Sequence, residues 1–301
     1  METYIFEKEI FERSYTFIQV DDGQSFDIEY IRDNKIDGFV VTANDIKTKI
    51  KDIKRIATCK FLRALNLNTL LYENISELSN LNNLEYISLY GKVDYKIPFS
   101  SLNNLWCIYL NYDKKTCESI FDCTNIENLF FDNYLCKSSF EFNSLTKLRR
   151  IGLMKTNLTE FDVIHNMPYI EHIGIGYDSN LTNLDWLYGN ESLTSISLKN
   201  CKNINNWEII GSVNNVKQIT IDNCGVLPSL GFLNKLTNLQ EIRILGSTYI
   251  KDNKIRELLE MPQLEYISIP VKKEYDLTLL DLNNFNLQKT NGRCCTDDKQ
   301  D

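Results

Sequence analysis

Eleven times along this 301-residue chain a seven-residue string returns with an aliphatic residue or Phe at its first, fourth and sixth positions. The clearest copies are LEYISLY at Leu84, LWCIYLN at Leu105, IENLFFD at Ile126, LRRIGLM at Leu148 and IEHIGIG at Ile170. LTSISLK at Leu193, VKQITID at Val216, LQEIRIL at Leu239 and LEYISIP at Leu264 continue them, and weaker copies begin at Ile36 and Leu62. Successive starts lie 26, 22, 21, 21, 22, 22, 23, 23, 23 and 25 residues apart. A fixed period of this length signals a repeat array, not a closed domain.

Each string alternates, so its residues face opposite sides of a short strand. Ile87 and Leu89 point inward, while Tyr86, Ser88 and Tyr90 point outward. The other half of the unit is patterned as well. Leu181, Ile204, Leu227 and Ile250 keep a spacing of 23, and Leu184, Trp207 and Leu230 follow the same register. The segment between strands is therefore expected to return through a short helix or 3₁₀ turn that adds residues such as Ile75, Leu78 and Leu81 to the core. No unit buries its own apolar edge, so units must stack, and their strands join one parallel sheet. Strands need only about 4.8 Å each and the returning segments need more, so the stack is expected to curve with the sheet inside.

The stretch Leu78-Ser-Asn-Leu81-Asn-Asn-Leu84-Glu-Tyr-Ile87-Ser-Leu89 resembles the leucine-rich-repeat family, in its short, internalin-like form of 22–23 residues. Phe142-Asn-Ser-Leu145-Thr-Lys-Leu148 and Leu233-Asn-Lys-Leu236-Thr-Asn-Leu239 carry the same likeness, which covers about Ile36 to Leu287. The resemblance implies an α/β class: a curved solenoid, a parallel sheet on its concave face, and short helices, 3₁₀ turns or irregular segments on its convex face. It also implies Asn or Cys at the ninth position of each repeat, folded into the turn. Asn44, Cys201 and Cys224 fit; Asp113, Thr156, Asp178 and Ser247 are small polar substitutes. Leu70, Lys92, Tyr134 and Lys272 depart from the pattern, which bears on the turns of the second, third, fifth and eleventh repeats.

A solenoid needs caps. Residues 1–35 are read as a β-rich N-terminal cap, with alternation in Tyr15–Val20 and again in Ser25–Tyr30. Residues 36–287 form the array. Within it Ile46, Ile50, Ile53 and Ala57 recur at helical spacing, and Leu277, Leu280 and Leu282 are taken as a last degenerate strand. Residues 288–301 are expected to be a disordered tail.

Composition removes several classes of function. The formal charge of −8 argues against a phosphate-backbone binder, which needs a basic face, so a protein or peptide is the expected partner and nucleic acid is not. No apolar run is long enough for a membrane span. The opening METYIFEKEIFERS lacks the apolar core of a secretory leader, and nine cysteines without CxxC read as reduced thiols, so a cytoplasmic setting is expected.

Catalytic and metal-binding patterns are missing, and no cofactor is expected. The two histidines, His165 and His172, are far from forming a cluster, and no phosphate loop, HExxH or GxSxG occurs. Cys295-Thr-Asp297 resembles the CxD motif of bacterial leucine-rich-repeat ubiquitin ligases, but that family carries a large helical catalytic domain for which there is no room here. The expected function is non-catalytic protein binding on the concave face; a toxin-occluding immunity protein is the alternative, and an enzyme comes last. Outward strand positions map the surface. Tyr86, Tyr90, Tyr109 and Phe130, flanked by Trp106 and Tyr112, make an aromatic patch, with Asp132 at its edge. Arg150, His172 and Lys199 supply polar contacts farther along, where Gly174 and Gly176 leave a shallow floor. Cys107 is outward too, a position where a thiol could react.

Overall fold

The computed structural model describes residues 4–21, 26–42, 49–50, 53–68, 71–72, 75–92 and 96–294. The chain divides into two compact units, Met1–Tyr134 with Glu141–Arg149 and Leu135–Phe140 with Arg150–Asp301. In both units a strand begins two residues into each repeated string.

The first unit opens with the hairpin β1 (Tyr4–Ile10) and β2 (Arg13–Asp21), followed by α1 (Ile28–Asp33) and β3 (Gly38–Thr42). Then come β4 (Lys49–Ile50), the single turn α2 (Ile53–Ile56), β5 (Ala64–Asn68), β6 (Leu71–Tyr72) and β7 (Tyr86–Lys92). β8 (Cys107–Asn111), the turn α3 (Lys114–Cys117) and β9 (Asn128–Asp132) complete it. β1 and β2 are antiparallel, and from β2 onward the long strands pair in parallel, in the order β2-β3-β5-β7-β8-β9. Phe39, Leu65, Ile87, Ile108 and Leu129 stand side by side in register, and all are buried.

The second unit repeats the scheme with β10 (Arg150–Met154), β11 (His172–Gly176), β12 (Ser195–Lys199) and β13 (Gln218–Asp222). The short β14 (Val226–Leu227), β15 (Glu241–Leu245), the short β16 (Tyr249–Ile250), β17 (Tyr266–Ser268) and the helix α4 (Leu279–Cys294) follow. Ile151, Ile173, Ile196, Ile219, Ile242 and Ile267 form its inner row. Burying such a side chain contributes about 1.5–3 kcal/mol, and each does so only because its neighbour is in register.

Between strands the backbone turns back through 3₁₀ segments, as the spacing of three in their leucines requires. Leu81 donates its N–H to Leu78 O, and Leu84 donates to Leu81 O; Leu236 to Leu233 and Leu239 to Leu236 repeat this relay. Ahead of five of the strands an asparagine then ties repeat to repeat. Asn83, Asn104 and Asn125 donate their side-chain amides to the carbonyls of Lys60, Asn82 and Asn103, and Asn215 and Asn238 do the same to Glu191 and Asn214. This spine explains the asparagine-rich usage.

Strand exits share one strained position. Asn133, Lys155, Tyr177, Asn200 and Asn223 all have φ between 53° and 60°, and Gly246 has 62°. Left-handed backbone costs a side chain such as Lys or Tyr roughly 1 kcal/mol. It is offset here because the turned N–H of Lys155, Tyr177 and Asn200 meets a carbonyl of the next repeat at 2.7–2.8 Å. The residue after this turn is folded inward. Asp178 is fully buried, and its carboxylate accepts from the N–H groups of Leu158, Asn180 and Leu181 at 2.7–3.1 Å and from the Thr156 hydroxyl. Cys201 and Cys224 are buried in the corresponding places, each with its thiol against backbone carbonyls.

Several expectations are corrected. In the tenth repeat Thr248, not Ser247, takes the inward place and accepts from Cys224 N–H, while exposed Ser247 donates its N–H and hydroxyl to the Asn223 side chain. In the fourth, Tyr112 is buried there instead, and Asp113 caps α3 by accepting from Lys115 N–H. Tyr134 fills its turn with a ring packed among Tyr112, Phe131 and Phe142. Asn44, Ile46 and Leu70 lie outside the described residues. Ile50 belongs to the short strand β4, and the helix of that repeat is only the turn α2. The alternation from Ser25 to Tyr30 does not become a strand, because Asp27 accepts from Glu29 and Tyr30 N–H and starts α1. At the other end α4 replaces both the expected last strand and the first part of the expected disordered tail. Leu282 and Phe285 are buried, and the helix continues to Cys294; residues 295–301 lie outside the described residues.

The turn carboxylate gives the first prediction. Asp178→Ala leaves several buried N–H groups without an acceptor and is expected to lower stability by about 2–4 kcal/mol, read as a shifted urea midpoint. Exposed Asn180→Ala, one residue beyond the turn, is expected to stay within about 0.5 kcal/mol.

Candidate functional site

The first outward position of the strands in the first unit, at Gly38, Ala64, Tyr86, Cys107 and Asn128, is buried by the chain itself. The second residue of successive repeats forms a row beside the strand starts: Asp37, Arg63, Glu85, Trp106 and Glu127. The β1–β2 hairpin is held along this row. Arg63 bridges Asp37 at 2.7 Å and Glu85 at 2.8 and 3.0 Å. Tyr15 donates its hydroxyl proton to Glu85 at 3.0 Å and accepts from Trp106 Nε1 at 3.0 Å. Arg13 lies 4.0 Å from the centre of the Trp106 ring and within 3.5 and 3.6 Å of Glu85 and Glu127. Thr16 N–H reaches Asp37 at 2.8 Å.

Apolar packing completes the cover. Ile10, Tyr15, Phe17, Ala64, Tyr86, Trp106 and Cys107 form one buried cluster. A Cβ on Gly38 would stand 2.6 Å from the Phe17 ring, so glycine there makes room for the hairpin. At the hairpin tip Phe11 has φ 51°, where a glycine is usual, yet its ring stacks on Phe130 at 5.9 Å. Phe130 in turn stacks on Tyr109 at 4.2 Å and 9°. These ring faces are used against each other.

The predicted contact residues therefore separate. Tyr86 and Trp106 are buried beneath the hairpin, and burial pushes the Tyr86 hydroxyl up to about 12. Tyr112 is buried on the opposite, core side against Phe121 and Phe131. These three present no surface to a partner. Tyr109, Phe130 and Asp132 are half-buried, and Tyr90 is exposed, displaced by a bulge between Leu89 and Lys92. Cys107 is fully buried and no reactive thiol. Sequence reading missed the hairpin, although the alternating charges at the second repeat position were a legible signal.

The second unit keeps its outward face open. Arg150 pairs with His172 and His172 with Ser195 in register, as the repeat phase requires. Gly152, Gly174, Ser197 and Thr220 make the next row. Met154, Gly176, Lys199 and Asp222 make the third. A Cβ on Gly176 would collide with the Met154 sulfur, so that glycine seats Met154. Gly174 is different: a Cβ there would meet nothing nearer than 3.9 Å. Its smallness serves no internal contact. The charges are paired, with Arg150 3.9 Å and His172 4.0 Å from Glu171, and Lys199 3.5 Å from Asp222.

His165 is exposed in a 3₁₀ segment of the second unit. Burial raises the thiols of Cys59, Cys117 and Cys123 above their ordinary value, the last to about 12, which keeps them protonated. Among the described residues no group of three His, Cys, Asp or Glu is placed to hold a metal. No helix among them is long and apolar enough to cross a membrane. Cys295 and Asp297 lie outside them.

No protein-family model matches the sequence, and no curated protein does. Solved structures do match. An internalin, InlF, from Listeria monocytogenes superposes over 85% of this chain and 87% of its own, with a TM-score of 0.57 and 17% identity. The chain has the leucine-rich-repeat fold. TLR13, solved in complex with ssRNA13, gives a TM-score of 0.55 at 17% identity, covering 82% of this leucine-rich-repeat chain and 38% of the TLR13 chain. At such identities the likeness is one of fold.

The latch on the hairpin is testable through Glu85. Burial alone would raise its pKa, but hydrogen bonds from Arg63 and Tyr15 and the charges of Arg63 and Arg13 bring it below 4.5. A carboxylate lowered on folding stabilises fully above its ordinary value and loses that contribution as pH falls through the folded value. Wild type is therefore expected to exceed Glu85→Gln in stability at pH 7, and the gap should close as pH falls through and below the ordinary carboxylate range, as followed by urea titrations of tryptophan fluorescence.

Proposed function

We propose that this leucine-rich-repeat protein is a non-catalytic module that binds another protein on the open face of its second unit. The observation that carries this is Gly174. Glycine costs roughly 0.5–1 kcal/mol in a strand relative to Ala, and here no neighbouring atom demands it. With Gly152, Ser197 and Thr220 it makes a floor, walled by Arg150, His172 and Ser195 on one side and Met154 and Lys199 on the other. Rows two residues apart are about 6.6 Å from each other, so the walls stand about 13 Å apart. An α-helix of about 10–12 Å diameter fits between them, as does an extended segment.

Met154 is exposed and Lys199 and His172 are half-buried, so the walls offer side chains that have contact area still to bury. The charge pairs leave no broad basic field, which favours a protein over a phosphate backbone. The fold alone does not decide this point, since TLR13 was solved in complex with ssRNA. A reducing, cytoplasmic setting is part of the proposal, supported by the buried thiols of Cys59, Cys117, Cys123, Cys201 and Cys224, which form no disulfide. The aromatic patch of the first unit is left with a smaller part, through exposed Tyr90 and the half-buried Tyr109, Phe130 and Asp132.

Filling the floor tests the reading. The double variant Gly174→Trp/Ser197→Trp is expected to melt close to wild type, because the space above Gly174 is open, and to lose at least about tenfold in affinity for captured partners, or about 1.4 kcal/mol. Capture by immobilised protein, read by mass spectrometry, and anisotropy with labelled single-stranded RNA are the two arms. Retention of the same protein partners by the filled variant, or binding to RNA that the filling abolishes, would replace the proposal.

A further inference from the structure

The outermost strands of the two units are finished in opposite ways. In the second unit β17 has three residues, and α4 closes its outer side. The Asn286 carboxamide accepts from Ile267 N–H at 3.1 Å and donates to Ile267 O at 2.9 Å, so a single side chain replaces a further strand. In the first unit β1 has seven residues and pairs with β2 on one side. Among the described residues no strand pairs with its other side. A long edge with unmatched backbone groups is a template for another strand.

The side chains of β1 say which strand. Ile5, Glu7 and Glu9 share one face, and Tyr4, Phe6 and Lys8 share the other. All but Phe6 are exposed, Tyr4 by 64% and Ile5 by 40%. Residues directly opposite across a strand pair have Cβ atoms about 4.5–5.5 Å apart, so like charges there destabilise and unlike charges stabilise. A second copy of this chain is the wrong occupant. Two identical antiparallel edges related by a twofold axis normal to the sheet must set odd residues against odd and even against even. In no such register does Glu7 or Glu9 meet a basic residue, because Lys8 lies on the other face: centred on Glu7, Glu7 faces Glu7; centred on Lys8, Glu7 faces Glu9 twice; centred on Phe6, Glu7 faces Ile5.

We propose that the outer edge of β1 takes, as an added strand, an extended segment of another protein that carries basic side chains at alternate positions next to an apolar stretch. The basic pair faces Glu7 and Glu9, and the apolar residues meet Tyr4, Ile5 and Phe6. The carboxylates that a second copy leaves without an opposite charge then select the partner. This surface is independent of the face assigned above to the second unit, and either stands without the other.

The probes are two labelled eight-residue peptides, one with Lys at alternate positions beside three apolar residues and one with Glu in place of each Lys. Anisotropy with the full chain is expected to show salt-sensitive binding of the basic peptide and at least about tenfold weaker binding of the acidic one. The double variant Glu7→Lys/Glu9→Lys should reverse that order, while Glu7→Gln/Glu9→Gln should weaken the basic peptide without favouring the acidic one. Hydrogen exchange should slow at backbone amides of residues 4–10 when the basic peptide is present. Equal binding of both peptides to wild type, no binding of the basic one, or an unchanged order in the charge-reversed variant would overturn the proposal. So would a wild-type dimer in sedimentation that the reversal dissolves.

Discussion

No repeat of this chain can satisfy its own strand. The N–H and C=O groups of β11 are answered by β10 and β12, and Ile173 is covered because Ile151 and Ile196 lie on either side of it. That dependence on neighbours in register is the constraint from which the other features follow. It makes stability a sum over adjacent interfaces, and it gives each periodic device a second use. The asparagine ahead of a strand spans to the preceding repeat, and the left-handed residue at a strand exit turns its N–H toward the following one. A lysine or a tyrosine can hold a backbone conformation that normally favours glycine because the neighbouring carbonyl is already in place.

An array of this kind must stop somewhere, and the way it starts decides what the first unit can offer. β2 continues the parallel ladder through Ile18 and Val20, opposite Phe39 and Val41, but its first residues and β1 also cover the outward side. Tyr15 has to bury a hydroxyl there, which is costly without partners. Glu85 and Trp106 supply them, and Arg63 neutralises the carboxylate. The outcome is a cap whose polar core is satisfied by the second residues of several successive repeats. The aromatic rings that a partner would have sought are largely spent on this cap.

Much of the architecture was legible because it is local and periodic. Each strand starts two residues into its string, and the inner rows contain the residues that alternation selects. What escaped was long-range. An outward aromatic looks the same in one repeat whether it awaits another molecule or the N-terminus of its own, and the Tyr15–Trp106 bond joins residues 91 positions apart. Gly38, Ala64 and Cys107, small residues at the first outward position around Tyr86, were the trace left by the covering segment. The Asp27 cap was a signal of another sort: a single side chain overrode four residues of strand-like alternation. Thr248 displaced Ser247 where Ser247 is held outward on the Asn223 side chain of the preceding repeat.

Two glycines show how internal demand can be separated from an open surface. Gly38 and Gly174 are both strand residues with outward Cα hydrogens, and composition treats them alike. At Gly38 a methyl group would enter the Phe17 ring, so the residue is explained by contacts inside the chain. At Gly174 a methyl group would touch nothing closely, so no contact inside the chain accounts for the residue. The charges around it point the same way. Arg150, His172 and Lys199 already have carboxylates nearby, so a partner gains little from adding another charge and pays to desolvate the pairs that exist. On the proposed reading, recognition on such a face would rest on shape, on how closely a backbone can approach a floor without side chains, and discrimination between partners would then fall chiefly on the dissociation rate.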